Sequence, residues 1–146
     1  MKAIIIEDEK AAVRNLRALL LEETIEIEIV AVLDSIVETI NWFCKYPVPD
    51  LVFLDIHLAD GSAFEIFEHV KVNCPVIFTT AYDEYALRAF KVNSIDYLLK
   101  PIGAEDLRNA LDKLKRLYTS PLYNEPDYIT LIRALRKEEN YKTHFL

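Results

Sequence analysis

The chain has 146 residues, 52% of them hydrophobic, which predicts one domain with a full core and a short remainder. Seventeen basic and 24 acidic residues give a net charge of −7, which repels nucleic acid and anionic lipid and makes this chain as it stands a poor DNA binder. No apolar run approaches the ~18 residues of a membrane span, MKAIII runs into EDE without the form of a signal peptide, and a cytoplasmic protein is expected.

Two glycines, Gly61 and Gly103, are too few for GxGxxG or GxxxxGK[ST], so phosphate chemistry here must rest on side chains or a metal. Cys44 and Cys74 lie far apart beside apolar neighbours and are expected to be buried free thiols.

In chain order, the β-type runs are AIII at 3–6, IEIEIVAVL at 25–33, LVFL at 51–54, VIFTT at 76–80 and IDYLL at 95–99. Helical patterns separate them, which predicts an α/β fold of (βα)5 type with a parallel sheet of five strands covered on both faces. The first, third and fourth runs are continuously apolar, as strands buried on both faces are. The second alternates Ile with Glu26 and Glu28, which marks an edge strand.

Ser35 with Glu38, and Ser62 with Glu65, have the spacing of a capping box at a helix start. Ala63, Ile66, Phe67 and Val70 then form one apolar face, and Leu107, Ala110, Leu111, Leu114 and Leu117 do the same for a last helix ending near Tyr118. TSPLYNEPD at 119–127 ends the compact domain, residues 1–118. Beyond it, Tyr128, Leu131, Ile132 and Leu135 repeat at helical spacing in a short linker helix, within a segment, 119–146, that trails off in EENYKTHFL.

In open parallel sheets ligands sit beyond the carboxyl ends of the strands. Glu7, Asp8 and Glu9 follow the first strand, Asp55 ends the third, Thr79 and Thr80 the fourth, and Lys100 with Pro101 the fifth. Singly each has an ordinary structural explanation, such as a helix cap; together they make a site. Gathering Glu7, Asp8 and Asp55 within ~4–6 Å costs on the order of a few kcal/mol per like-charge pair. Lys100 alone offsets too little of that, and Mg²⁺ with oxygen ligands is the natural remedy. A carboxylate can attack phosphorus to form an aspartyl phosphate, with the metal and Lys100 neutralising the equatorial oxygens and the Thr80 hydroxyl bonding one of them. Asp55, on a short stem at a rigid strand end, fits the nucleophile.

These residues resemble the receiver domains of two-component response regulators over roughly residues 2–118, and the resemblance implies a doubly wound, flavodoxin-like sheet with the strand order 2-1-3-4-5. The acidic pair Glu7–Asp8, the acceptor Asp55, Thr80–Ala81 and Lys100–Pro101 occur in the family's order. DIHLADG followed by FEIF, with VIFTTAYDEYALRAFKVNSIDYLLKPI, is similar to the LytTR (LytR/AlgR-type) transcription regulators, and YKTHFL at 141–146 resembles the opening of their DNA-binding domain. The resemblance implies that a sensor histidine kinase phosphorylates Asp55, and that Asp8, Asp55 and the His57 backbone carbonyl bind Mg²⁺ with Glu7 helping through water. Lys100 and Thr80 would engage the phosphoryl group, and Tyr97 would swing inward behind Thr80. It also implies a cis peptide between Lys100 and Pro101. A two-state element around 81–92 would then switch a face of the fourth helix, fifth strand and fifth helix, with Ala86, Phe90, Tyr97 and Leu107 as members or support. Homodimerisation through that face would control DNA binding by a further domain. The protein is expected not to be an enzyme beyond self-catalysed transfer to Asp55 and slow autodephosphorylation. Glu7 stands where Asp is commoner, which implies a longer metal contact, and Ala59 replaces a frequent Pro. The His57 ring has a bland expectation, a solvated loop histidine, and Tyr82 could flank the hydrolytic water.

Other functions fit less well. A haloacid-dehalogenase-type phosphatase needs D-x-D on its first strand, whereas His57 stands two residues after Asp55 and the acidic pair comes earlier. A flavin binder needs a Ser/Thr/Gly-rich loop after the first strand. A stand-alone receiver that acts by docking to another protein remains the alternative.

Overall fold

The computed structural model describes residues 1–81 and 96–118. Strands β1 (Lys2–Ile6), β2 (Glu28–Leu33), β3 (Leu51–Asp55), β6 (Val76–Thr80) and β7 (Asp96–Leu99) form one parallel sheet, and β4 (His57–Leu58) pairs with β5 (Gly61–Ser62) in a small antiparallel ribbon. The sheet order β2-β1-β3-β6-β7 is the predicted 2-1-3-4-5 with the ribbon strands left out of the count. Helices α1 (Lys10–Leu21), α2 (Ile36–Lys45), α3 (Phe64–His69) and a last described helix, Ala104–Tyr118, connect and cover it.

The parity of each strand sorts its side chains between two cores. Ala3, Ile5, Leu51, Phe53, Ile77 and Leu98 pack under α1 and the last helix, with Leu16, Leu20, Leu107 and Leu111. Ile4, Ile6, Val52, Leu54, Val76 and Phe78 pack on the other face with Phe64, Ile66 and Phe67 of α3 and Ile36 of α2. Central strands β3 and β6 are buried along their whole length, which is why they read as unbroken apolar runs.

Edge strand β2 is different. Its register on β1 shifts between Ala3 and Ile4, whose partners are Ile29 and Ala31, so Val30 stands opposite no residue of β1. One extra residue reverses the alternation. Ile25, Ile27 and Ile29 reach the α1 side, while Ala31 and Leu33 reach the α2 side. The strand begins at Glu28 rather than at 25; at its start the Glu28 N–H donates to the Met1 carbonyl at 2.9 Å, and the Met1 amino group donates to the Glu26 carbonyl at 3.2 Å.

One predicted cap forms, with Glu38 reaching one residue beyond the Ser35 amide that a capping box uses, and the other does not. Ser35 Oγ accepts from the Glu38 N–H at 3.0 Å, and Glu38 turns back to the Asp34 N–H at 3.2 Å. Ser62 instead belongs to β5 and accepts from the Phe64 N–H at 3.3 Å, so α3 starts after Ala63 with no side-chain cap from Glu65. Cys74 is buried as expected, but Cys44 is exposed: it lies seven residues after Val37 on the outward side of α2, and Val37 is itself 63% exposed. The two cysteines form no disulfide. The last helix carries Glu105 and Asp106 in its first turn and Lys115 and Arg116 in its last, in the sense its dipole favours. Tyr82, Ala86, Phe90, the switching segment, the side chain of Leu117, the linker helix and YKTHFL lie outside the described residues. No described helix is long and apolar enough to cross a membrane.

Candidate phosphoacceptor site

The row of side chains that faces α1 ends in charge on three strands. Two residues after Ile5 comes Glu7, two after Phe53 comes Asp55, and two after Leu98 comes Lys100. Strand alternation therefore aims all three toward the same face at the carboxyl edge. Asp55 is 4% exposed and Glu7 5%. Both are held by the sheet, since Asp55 pairs in register with Thr79 and the Glu7 N–H donates to the Leu33 carbonyl at 2.8 Å.

Lys100 bridges the two acids, its Nζ in an ion pair with Glu7 and 3.1 Å from Asp55 Oδ2. Asp55 Oδ1 accepts from the His57 N–H at 3.2 Å. Both carboxylate oxygens thus have a donor, which fixes the rotamer and leaves lone pairs for other partners. Glu7, Asp8 and Asp55 each present an oxygen within 4.8 Å of the others. Three carboxylates in an all-oxygen set fit a hard divalent cation such as Mg²⁺.

The expected charge crowding acts on the acidity of the site's own groups. Burial first, and then the Asp55 carboxylate beside it, push the Glu7 carboxyl up from 4.5 to about 7, against the pull of Lys100. Burial disfavours the Lys100 ammonium, but its bonds and charge attraction to Glu7 and Asp55 outweigh that and raise its pKa. The longer arm of Glu7, compared with an aspartate, is what meets Lys100 directly.

Thr80 is 1% exposed and lies beside Lys100 through the backbone, with the Lys100 N–H donating to the Thr80 carbonyl at 2.8 Å. Register pairs Phe78 with Tyr97 and Thr80 with Leu99. Thr80 and half-buried Tyr97 therefore share the sheet face opposite to that of Asp55, where Tyr97 packs against the Ile4–Phe78 core. Leu107 is fully buried, so it can support an outer face but not form one. His57 is exposed at the start of the ribbon. The Lys100–Pro101 peptide is cis.

Two anchors have no signal in the sequence, because each joins residues far apart in the chain. Asn15 Nδ2 donates to the Ile102 carbonyl at 3.3 Å and ties the loop after Lys100 to α1. Asp60 accepts from backbone amides at the start of α2. An open cleft of about 400 Å³ beside the site is lined by Glu9, Ala11, Ala12 and Asn15 on one side and Ala81, Lys100, Pro101 and Ile102 on the other.

Comparison with known proteins agrees with this geometry. The response regulator receiver domain family matches residues 3–112. The chain is 41% identical over 119 residues to the sensory transduction protein LytT of Bacillus anthracis, covering 80% of this chain and 48% of that protein. It is 36% identical over 118 residues to the transcriptional regulatory protein LytR of Staphylococcus aureus (strain N315), covering 79% and 47%. The crystal structure of the response regulatory domain of mrkE from Klebsiella pneumoniae superposes with a TM-score of 0.64 at 30% identity, covering 80% of this chain and 96% of that one. The chain spans about half the length of the LytT and LytR relatives it matches. A parallel sheet in this order, an acid cluster at its carboxyl edge and these matches lead to one conclusion: the chain belongs to the response regulator receiver domain family, with relatives of the LytT/LytR kind.

Proposed function

We propose that the protein is the phosphoacceptor of a two-component system, in which Asp55 takes a phosphoryl group from a phosphohistidine of a sensor kinase. The observation that carries this is the placement of Asp55: buried, at the end of a central strand, with Lys100 on one oxygen, the His57 amide on the other, and Glu7 and Asp8 beside it. Mg²⁺, held by Asp8, Asp55 and the His57 carbonyl with Glu7 assisting, would supply charge neutralisation at the phosphoryl oxygens.

The chain's own residues do the rest. The Asp55 carboxylate attacks phosphorus, the P–N bond of the donor breaks, and the imidazole nitrogen keeps the electron pair and takes up a proton. Lys100 turns from Asp55 Oδ2 to the transferred group, whose oxygens carry more charge. The open cleft between α1 and the Lys100–Ile102 loop gives the donor side chain its approach. Later attack by water on phosphorus returns the carboxylate and inorganic phosphate, so the chain modifies only itself.

The added charge of about −1.5 to −2 draws Thr80 toward Asp55. Because Thr80 and Tyr97 share one face of the sheet, movement of the first opens room for the second. Residues 1–118 form the receiver, and 119–146 form a linker leading into a LytTR-type DNA-binding domain, in keeping with the longer LytT and LytR relatives. Receiver pairing on phosphorylation would place two such domains on adjacent half-sites, and transcription control is the output.

Incubation with Mg²⁺ and acetyl phosphate, followed by intact-mass measurement, tests the assignment. One phosphoryl adduct is expected on the wild type and none on Asp55→Asn. An adduct at full yield on the variant overturns it.

A further inference from the structure

We infer that Asp60 is a positioning residue for the metal and phosphoacceptor loop, holding the ribbon that begins at His57 against the first turn of α2. This rests on the assignment of Asp55 as acceptor and of the His57 carbonyl as a metal ligand.

Asp60 lies at the tip of the β4–β5 ribbon, where His57 pairs with Ser62 and Leu58 with Gly61. Its Oδ1 accepts from the Ile36 N–H at 3.0 Å, and its Oδ2 from the same N–H at 3.1 Å and from the Val37 N–H at 3.4 Å. These are charge-assisted bonds from a carboxylate to the positive end of a helix, 24 residues away in sequence. Helix α2 has a local cap already, since Ser35 takes the Glu38 amide and Glu38 takes the Asp34 amide. Asp60 meets the Ile36 and Val37 amides, which that local cap does not reach.

The apolar side of the same junction is equally close. Gly61 has φ +140°, a conformation that side chains rarely adopt, and a Cβ there would stand 3.2 Å from Ile36 Cδ1. The ribbon thus lies flat on Ile36. At its base the Ala63 N–H donates to the Ile56 carbonyl at 2.9 Å, and the Ile56 N–H donates to the Thr79 carbonyl at 3.0 Å. With base and tip both fixed, His57 between them has a set orientation: its N–H meets Asp55 Oδ1, and its carbonyl is the proposed metal ligand. Freeing the tip frees that carbonyl.

The test measures Mg²⁺ affinity by calorimetry, and amide exchange at Ile36 and Val37 with and without Mg²⁺. Asp60→Ala is compared with Ser35→Ala, which weakens the same helix start without touching the ribbon. Asp60→Ala is expected to lose roughly tenfold in Mg²⁺ affinity, the scale seen when an outer-shell partner is removed, while Ser35→Ala stays within about twofold. Because coupling is reciprocal, Mg²⁺ slows exchange at Ile36 and Val37 in the wild type and not in Asp60→Ala. If Asp60→Ala does not fold, Asp60→Asn is measured instead; it keeps a neutral acceptor of about half the strength, and a loss of roughly threefold is expected. Unchanged affinity in the Asp60 variants, an equal loss in Ser35→Ala, or wild-type exchange insensitive to Mg²⁺ each overturns the inference. A wild type that binds Mg²⁺ and forms the Asp55 adduct beside Asp60 variants with full affinity sinks the inference alone. A wild type that does neither sinks the phosphoacceptor assignment as well.

Discussion

Strands β2 and β3 flank β1 on its two sides and obey opposite rules. All five residues of β3 are buried, and its registers on β1 and β6 run without a break. Strand β2 alternates between exposed and half-buried residues until buried Leu33 and carries Val30 opposite no residue of β1. Exact register is kept by the fully buried strands, β6 and the β3 that ends in Asp55. A shift of one residue there would move both its core contacts and its acid to the wrong face, whereas the edge strand has one face partly in water and absorbs a mismatch.

Single-residue deletions put that contrast at its sharpest. Deleting Phe53 makes Val52 and Leu54 neighbours, although both now serve the α2–α3 core, so one of them must turn to the opposite face. No cooperative thermal transition is expected for that variant, measured by circular dichroism. A variant that melts within a few degrees of the wild type would contradict the strict register of β3.

Next in size is a pH effect at the charged end of the same row. Glu7 has a folded pKa above its unfolded one, so its contribution is fully present below 4.5 and is lost as pH rises through about 7. At about 1.4 kcal/mol per unit, the loss across that window is on the order of 3 kcal/mol in Mg²⁺-free buffer. Denaturant titrations across this range should show stability falling toward neutral pH, and Glu7→Gln should flatten that slope. An unchanged slope in Glu7→Gln would move its origin elsewhere.

The smallest effect belongs to β2. Deleting Val30 brings Ile29 next to Ala31, which already face opposite cores and already pair with consecutive residues of β1. The regular ladder that results should cost less than about 1 kcal/mol, in line with a change at a partly exposed site. Loss of the cooperative transition on deleting Val30 would show that the extra residue is needed, and would erase the distinction between the two strands.

Much of this was legible in the chain. Apolar runs on β1, β3 and β6 announced strands covered on both faces, and the acids just past β1 and β3 with the lysine just past β7 announced the site, because a strand end turns sequence adjacency into a known place on the sheet. The Ser35 cap was legible for the same local reason. The Ser62–Glu65 box has the same spacing but did not form, since ribbon pairing took Ser62 into β5. Cys44 misled because apolar neighbours along a helix do not all share a face.

By itself, then, the sequence determined the fold class and the group Glu7, Asp8, Asp55 and Lys100, since alternation and strand ends are local patterns. Only the tertiary structure decided that Lys100 bridges Glu7 and Asp55, that Val30 resets the alternation of β2, and that Asp60 holds the start of α2. Each of these depends on distances between segments tens of residues apart in the chain. Packing two layers of helices onto a twisted sheet sets such distances, and no window of sequence contains them.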